Sequence, residues 1–145
     1  MPGTSEDREY LDNKIIEFNS QIVTCSQKEQ FIHIDYVIKD NDKIVGGITT
    51  ILYYRKCLYI NVLWVKENYR HNGLGSKLLK KVEDEVKQQG CALIHLDTFD
   101  FQAPDFYLKH GYEIFGELEN CPPGHKRFFL KKISYSNKVQ PNKHL

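Results

Sequence analysis

Along this chain the apolar positions change period several times, and each change marks an element. In "SEDREYLDNKIIEFNS" Leu11, Ile15, Ile16 and Phe18 share one helical stripe, with Ser5 as the N-cap and acids in the first turn. "FIHIDYVIK" alternates instead, placing Ile32, Ile34, Tyr36 and Ile38 on one face of a strand. "DNDK" at 40–43 is turn chemistry and predicts a hairpin into "IVGGITTILYY". "CLYINVLWV" is apolar on both faces except at Asn61, as a central strand is. Leu78, Leu79, Val82 and Val86 then form a stripe over "SKLLKKVEDEVKQQ", a helix that Gly90 stops. "CALIHLDTF" is a strand. "APDFYLKHG" is a short helix, with Pro104 in its first turn and Gly111 after its end. "YEIFGEL" and "KRFFLKKI" are two further strands joined by "ENCPPGH".

Helix, three strands, helix, strand, helix, two strands is the order of an α+β domain, a mixed sheet with helices on its faces. Residues 1–134 are expected to form that single domain, and the polar residues 135–145 a frayed tail. Twenty Lys and Arg against nineteen Asp and Glu leave no global field that favours nucleic acid or an anionic membrane. No apolar run approaches the roughly 20 residues of a membrane helix. The start, "MPGTSEDREYL", is too polar and acidic for a signal peptide. Cys25, Cys57, Cys91 and Cys121 are spread widely, without a C-x-x-C pair, and read as reduced small hydrophobes rather than metal ligands or a disulfide frame. Together these features lead us to expect a cytoplasmic protein with no metal, no membrane partner and no nucleic-acid partner.

The candidate chemistry lies in "YRHNGLGSKLL", residues 69–79. Strand, glycine loop and helix in succession put free amides at a positive helix end, where an anion is favoured. Gly73 and Gly75 allow close approach of the backbone, and Arg70 adds a full charge. Phosphate is the natural ligand. The dinucleotide fingerprint fails because its third glycine position holds Leu78, and no P-loop spacing precedes a Gly-Lys pair. Taken alone, the glycines also suit a plain strand-to-helix turn.

"LWVKENYRHNGLGSKLL" resembles motif A of the GNAT superfamily of N-acetyltransferases, with Arg70, Gly73 and Gly75 at the positions of [RQ]-x-x-G-x-[GA]. "APDFYLKHGYEIFG" is similar to that superfamily's motif B, with Ala103, Tyr107, Gly111 and Tyr112 matching. The resemblance spans about residues 30–133. It implies a mixed, mostly antiparallel twisted sheet whose central strands splay to take acetyl-CoA as co-substrate. By the resemblance, Leu63, Trp64 and Val65 offer backbone groups to the cofactor, and Arg70, His71, Asn72, Gly73, Leu74, Gly75 and Ser76 cradle its diphosphate. The implied reaction is direct attack of a primary amine, a small molecule being favoured, on the thioester through a tetrahedral intermediate. Tyr107 stands at the position of the acid that protonates the departing thiolate, a role open to a phenol still protonated at neutral pH.

Two positions depart from the pattern. Where many GNAT enzymes carry a glutamate base the strand holds Asn61, leaving Asp97, Asp100, His95, His125 or water. A frequent motif B asparagine is replaced by Asp100, which would cap the following helix or face an ammonium group. The superfamily also usually opens with a strand before its first helix, whereas this chain enters the helix almost at once. Tyr53, Tyr54, Tyr59 and Trp64 would line an aromatic acceptor pocket or fill the sheet core. "CPPGH" is a stiff loop at a substrate mouth or a partner contact, or simply a turn; a homodimer is left open. The alternative function is a GNAT-fold module that holds CoA with little catalysis.

Overall fold

Hydrogen-bond ladders join seven strands into one mixed sheet, and the structure, a computed structural model, describes residues 1–23, 31–54 and 56–134. Along the chain run α1 (Ser5–Ile22), β1 (Phe31–His33), β2 (Tyr36–Asp40), β3 (Lys43–Tyr53), β4 (Cys57–Val65), α2 (Leu74–Gln88), β5 (Leu93–Phe99), α3 (Pro104–Lys109), β6 (Glu113–Glu119) and β7 (Lys126–Ile133). The sheet order is β1-β3-β4-β5-β7-β6, with β2 also paired to β3. Every pairing is antiparallel except β4–β5, which the crossover through α2 makes parallel. The expected α+β mixed sheet is therefore the observed one.

Three boundaries differ from the pattern reading. The single strand expected over 31–39 is split at Ile34–Asp35, because the Asp35 carboxylate accepts the Thr50 N–H (3.1 Å) and the Thr50 hydroxyl donates to the Ile34 carbonyl (2.6 Å). Ile32, Ile34, Tyr36 and Ile38 nevertheless all pack on the core, as the alternation requires. The first N-cap is Thr4 rather than Ser5: Thr4 and Asp7 form a reciprocal capping box. Helix α2 begins at Leu74, two residues before the expected Ser76, since Gly73 in a left-handed conformation (φ 78°) already turns the chain. The 40–43 hairpin forms as expected, with Asn41 and Asp42 at positive φ. The tail at 135–145 and Cys25 lie outside the described residues.

The core lies on one face of the sheet. Leu78, Leu79, Val82 and Val86 of α2 meet Ile48 and Leu52 of β3, Leu58 and Ile60 of β4, and Ile94 and Leu96 of β5. Tyr112 donates to Glu83 (2.7 Å), and Lys132 reaches both Glu83 and the His110 carbonyl. These bonds lock the end of α3 to α2 and β7. By contrast, α1 buries no residue, although the expected stripe is present on it.

Candidate active site

The site begins with a change of register. Thr49 faces Val62 and Thr50 faces Ile60, so Asn61 is an extra residue, a bulge in β4. On its other side β4 pairs with β5 only over Cys57–Leu93, Leu58–Ile94 and Tyr59–His95. Beyond Tyr59 the two strands part, and the edge of β4 from Ile60 to Val65 has no strand beside it there. The parting opens a cleft of about 760 Å³. One wall is that free edge, the mouth is the loop from Tyr69 to Ser76, and the far wall runs from Leu96 to Thr98 and on to Tyr107.

The loop leaves its backbone donors free. No amide from residue 71 to 76 donates to an acceptor among the described residues, and α2 has no side-chain cap at Gly73. His71 and Gly73 both take positive φ, which turns successive N–H groups outward. A side chain at Gly73 would meet nothing within 4 Å, so the space above the loop is open. Gly75 is different: a Cβ there would be in ordinary contact, 3.5 Å from the Phe106 ring, where the start of α2 meets α3. The Arg70 Nε donates to the Val65 carbonyl (2.7 Å), which fixes the loop to the end of β4 and leaves the terminal guanidinium nitrogens exposed. Ser76 Oγ is engaged by His110 Nε2 (2.9 Å), which ties the start of α2 to the end of α3.

Tyr107 lines the same cleft as this loop. It is 7% exposed, edge-on to Phe106 and Tyr112, and its hydroxyl has no hydrogen-bond partner among the described residues. Burial alone pushes its pKa up to about 12, so the phenol keeps its proton at neutral pH. An unpartnered O–H on the wall of an open cleft has its hydrogen-bond capacity free.

A family model described as acetyltransferase (GNAT) family matches residues 4–112. The chain belongs to the GNAT family of acetyltransferases. It is 30% identical over 102 residues to a blasticidin-S acetyltransferase of Streptomyces morookaense, covering 70% of this chain and 74% of that one. A crystal structure of a GNAT relative, an acetyltransferase from Bacillus cereus ATCC 14579, superposes with a TM-score of 0.84 at 43% identity, covering 92% of this chain and 95% of that one. An aminoglycoside 6'-N-acetyltransferase solved with coenzyme A matches at TM-score 0.63 and 25% identity, over 70% of this chain and 72% of that one.

The four side chains considered as bases in this GNAT chain are all engaged. Asp97 lines the cleft but accepts two bonds from Arg127 (2.8 and 3.2 Å) and one from Tyr59 (2.8 Å). His95 pairs with the Tyr53 hydroxyl (2.5 Å), and burial lowers its pKa. Asp100 neither caps α3 nor faces an incoming group: it accepts the Lys126 N–H (2.9 Å) and His125 (3.0 Å), bonds that hold its pKa low. The position ahead of α3 is served by Gln102, whose amide oxygen accepts from Phe99 N–H and the Thr98 hydroxyl. Of the four aromatics suggested for an acceptor pocket, only Trp64 lines the cleft. Phe101, which the pattern reading did not single out, lines it too and stands 58% exposed. The loop signal "TFDFQAP" held no periodicity from which to find it.

Proposed function

We propose that this GNAT protein transfers the acetyl group of acetyl-CoA to a primary amine of a small molecule. The observation that carries the reading is the pairing, across one cleft, of free loop amides at 71–76 with the unpartnered Tyr107 hydroxyl. Acetyl-CoA brings the acetyl group as a thioester, and the amine attacks its carbonyl.

The residues present fit that co-substrate. Amides of His71 to Ser76 and the exposed end of Arg70 would hold the diphosphate. The unpaired edge of β4, Leu63 to Val65, can bond an extended amide-bearing arm as an added strand does, although the Val65 carbonyl already serves Arg70. Backbone N–H groups along the same edge would steady negative charge on the carbonyl oxygen. Tyr107 Oη bonds the departing sulfur and passes it a proton as the C–S bond breaks, regaining one that the attacking amine sheds through water; the raised pKa keeps the phenol protonated at neutral pH until that step.

Asn61 cannot remove a proton, and the nearby acids and histidines are occupied, so the acceptor enters as the neutral amine or loses its proton to water. That observation is also what favours the second reading, a module that binds CoA with little turnover. Thiol release from acetyl-CoA over a panel of amines, blasticidin S and thialysine among them, separates the two. The panel follows the relatives, since a thialysine N-epsilon-acetyltransferase of Bos taurus is 34% identical over 64 residues. Acetyl-CoA binding without release above background for any amine would leave only the module.

A further inference from the structure

Among the described residues, two apolar surfaces of this chain have no cover. Helix α1 presents Leu11, Ile15, Phe18 and Ile22 along one side, each at least 55% exposed. The sheet face turned away from α2 presents Val37, Val62 and Trp64 about half exposed, with Ile51, Tyr59 and Phe129 partly so. Exposed apolar side chains gathered along one helix side and over one sheet face, there beside the polar pairs of His95, Asp97 and Arg127, mark an interaction site.

We propose that α1 of a second copy of this chain lies across the open sheet face, reciprocally, so that the protein is a homodimer in which the partner helix walls the acceptor side of the cleft. Each copy carries both surfaces once, so one two-fold operation covers all four and leaves nothing free to propagate. Within a single chain α1 buries no residue, so the chain does not use its own helix to close its own sheet. Size agrees as well. An 18-residue helix is about 27 Å long, and one face laid on a sheet removes roughly 500 Å² from each surface. Two such contacts bury about 2,000 Å² in total, the scale of stable homodimers.

Helix α1 is also part of the shared fold rather than an appendage. Matches covering 92% of this chain, to the Bacillus cereus structure and to a second acetyltransferase from Agrobacterium tumefaciens, are longer than residues 31–134 alone and so run into α1. The open face continues into the cleft through Val62, Trp64 and Asp97, which line both. A helix on that face therefore stands where an acceptor would enter. The dimer itself needs no acetyl-transfer chemistry; the helix's place at the acceptor site rests on that reading.

Sedimentation velocity and light scattering give the mass, and Leu11→Asp combined with Phe18→Asp gives the test. The wild type is expected to be a dimer at micromolar concentration and the double variant a monomer. Because those side chains are more than half exposed in their own chain, the variant keeps its circular dichroism and its acetyl-CoA affinity by calorimetry. Its KM for the acceptor amine rises about tenfold or more, as loss of a contact wall implies. A monomeric wild type whose α1 amides are protected from exchange would mean that the helix folds onto its own sheet and would overturn the proposal. A double variant that remains dimeric would overturn it equally. If neither protein turns over any amine but the mass changes as expected, the dimer stands and the transferase reading fails.

Discussion

The two faces of the sheet are made from alternate residues of the same strands, yet they have different fates. Along β5, Ile94, Leu96 and Thr98 are buried under α2 and α3, while His95, Asp97 and Phe99 remain partly open. The covered face is almost wholly apolar. Its partner carries a network of Tyr53 with His95 and of Tyr59 with Asp97 and Arg127. The difference teaches where stability and chemistry reside. Burial on the covered face holds the strands in place, and the cleft opens where β4 and β5 stop pairing and the two faces meet. Tyr107 belongs to both regions: its ring is core, and its hydroxyl faces the cleft.

Substitutions can break that comparison in descending order of effect. Tyr107→Phe keeps the ring and removes only the O–H, so kcat should fall about 100-fold or more while the acetyl-CoA KM stays within about twofold. Steady-state kinetics decide it, and an unchanged kcat would return Tyr107 to the core alone. Leu79→Ala, at a fully buried site on the covered face, should cost about 2–5 kcal/mol in denaturant melts. Val62→Ala on the open face should cost less than about 1 kcal/mol, and equal losses would erase the distinction between the faces. Gly73→Glu puts a carboxylate into open space beside the free amides and should raise the acetyl-CoA KM about tenfold or more. Gly73→Asn, which tolerates the same left-handed backbone, should leave it nearly unchanged.

The smallest effect is in pH. Tyr107 and Tyr53 are both pushed up to about 12 by burial. A folded-state pKa above the unfolded value near 10 means that the folded protein holds protons the unfolded chain has released. The stability these groups contribute is complete below about pH 10 and is lost as pH rises toward 12. Melts from pH 8 to 12 should show that decline beginning only near 10. The kcat profile should likewise show no loss of the acid below pH 10, and a midpoint under 10 would remove Tyr107 from that role.

Much of this was legible in the residues. Apolar runs bounded by turn residues placed β3, β4, β6 and β7 within two residues of their bounds, because Gly, Pro, Asn and Asp mark where a strand must stop. Arg70, Gly73 and Gly75 announced the loop because only particular residues tolerate its backbone. What could not be read was pairing. Nothing local says that Asp97 meets Arg127, thirty residues on, or that His95 is held by Tyr53. Each such bond removed a candidate base that composition alone had left available. Phe101 was missed for the same reason, since its place on the cleft wall comes from the stacked pair it forms with Phe99.

By itself, then, the sequence determined the elements, the sheet's apolar core and the place of the glycine loop ahead of α2, all properties set within a few residues of each other. Tertiary structure alone decided that Asn61 is a bulge, that β4 and β5 part after three pairs, and that α1 buries no residue against the described part of its own chain. These depend on register between distant strands, and a shift of one residue there exchanges every inward side chain for an outward one.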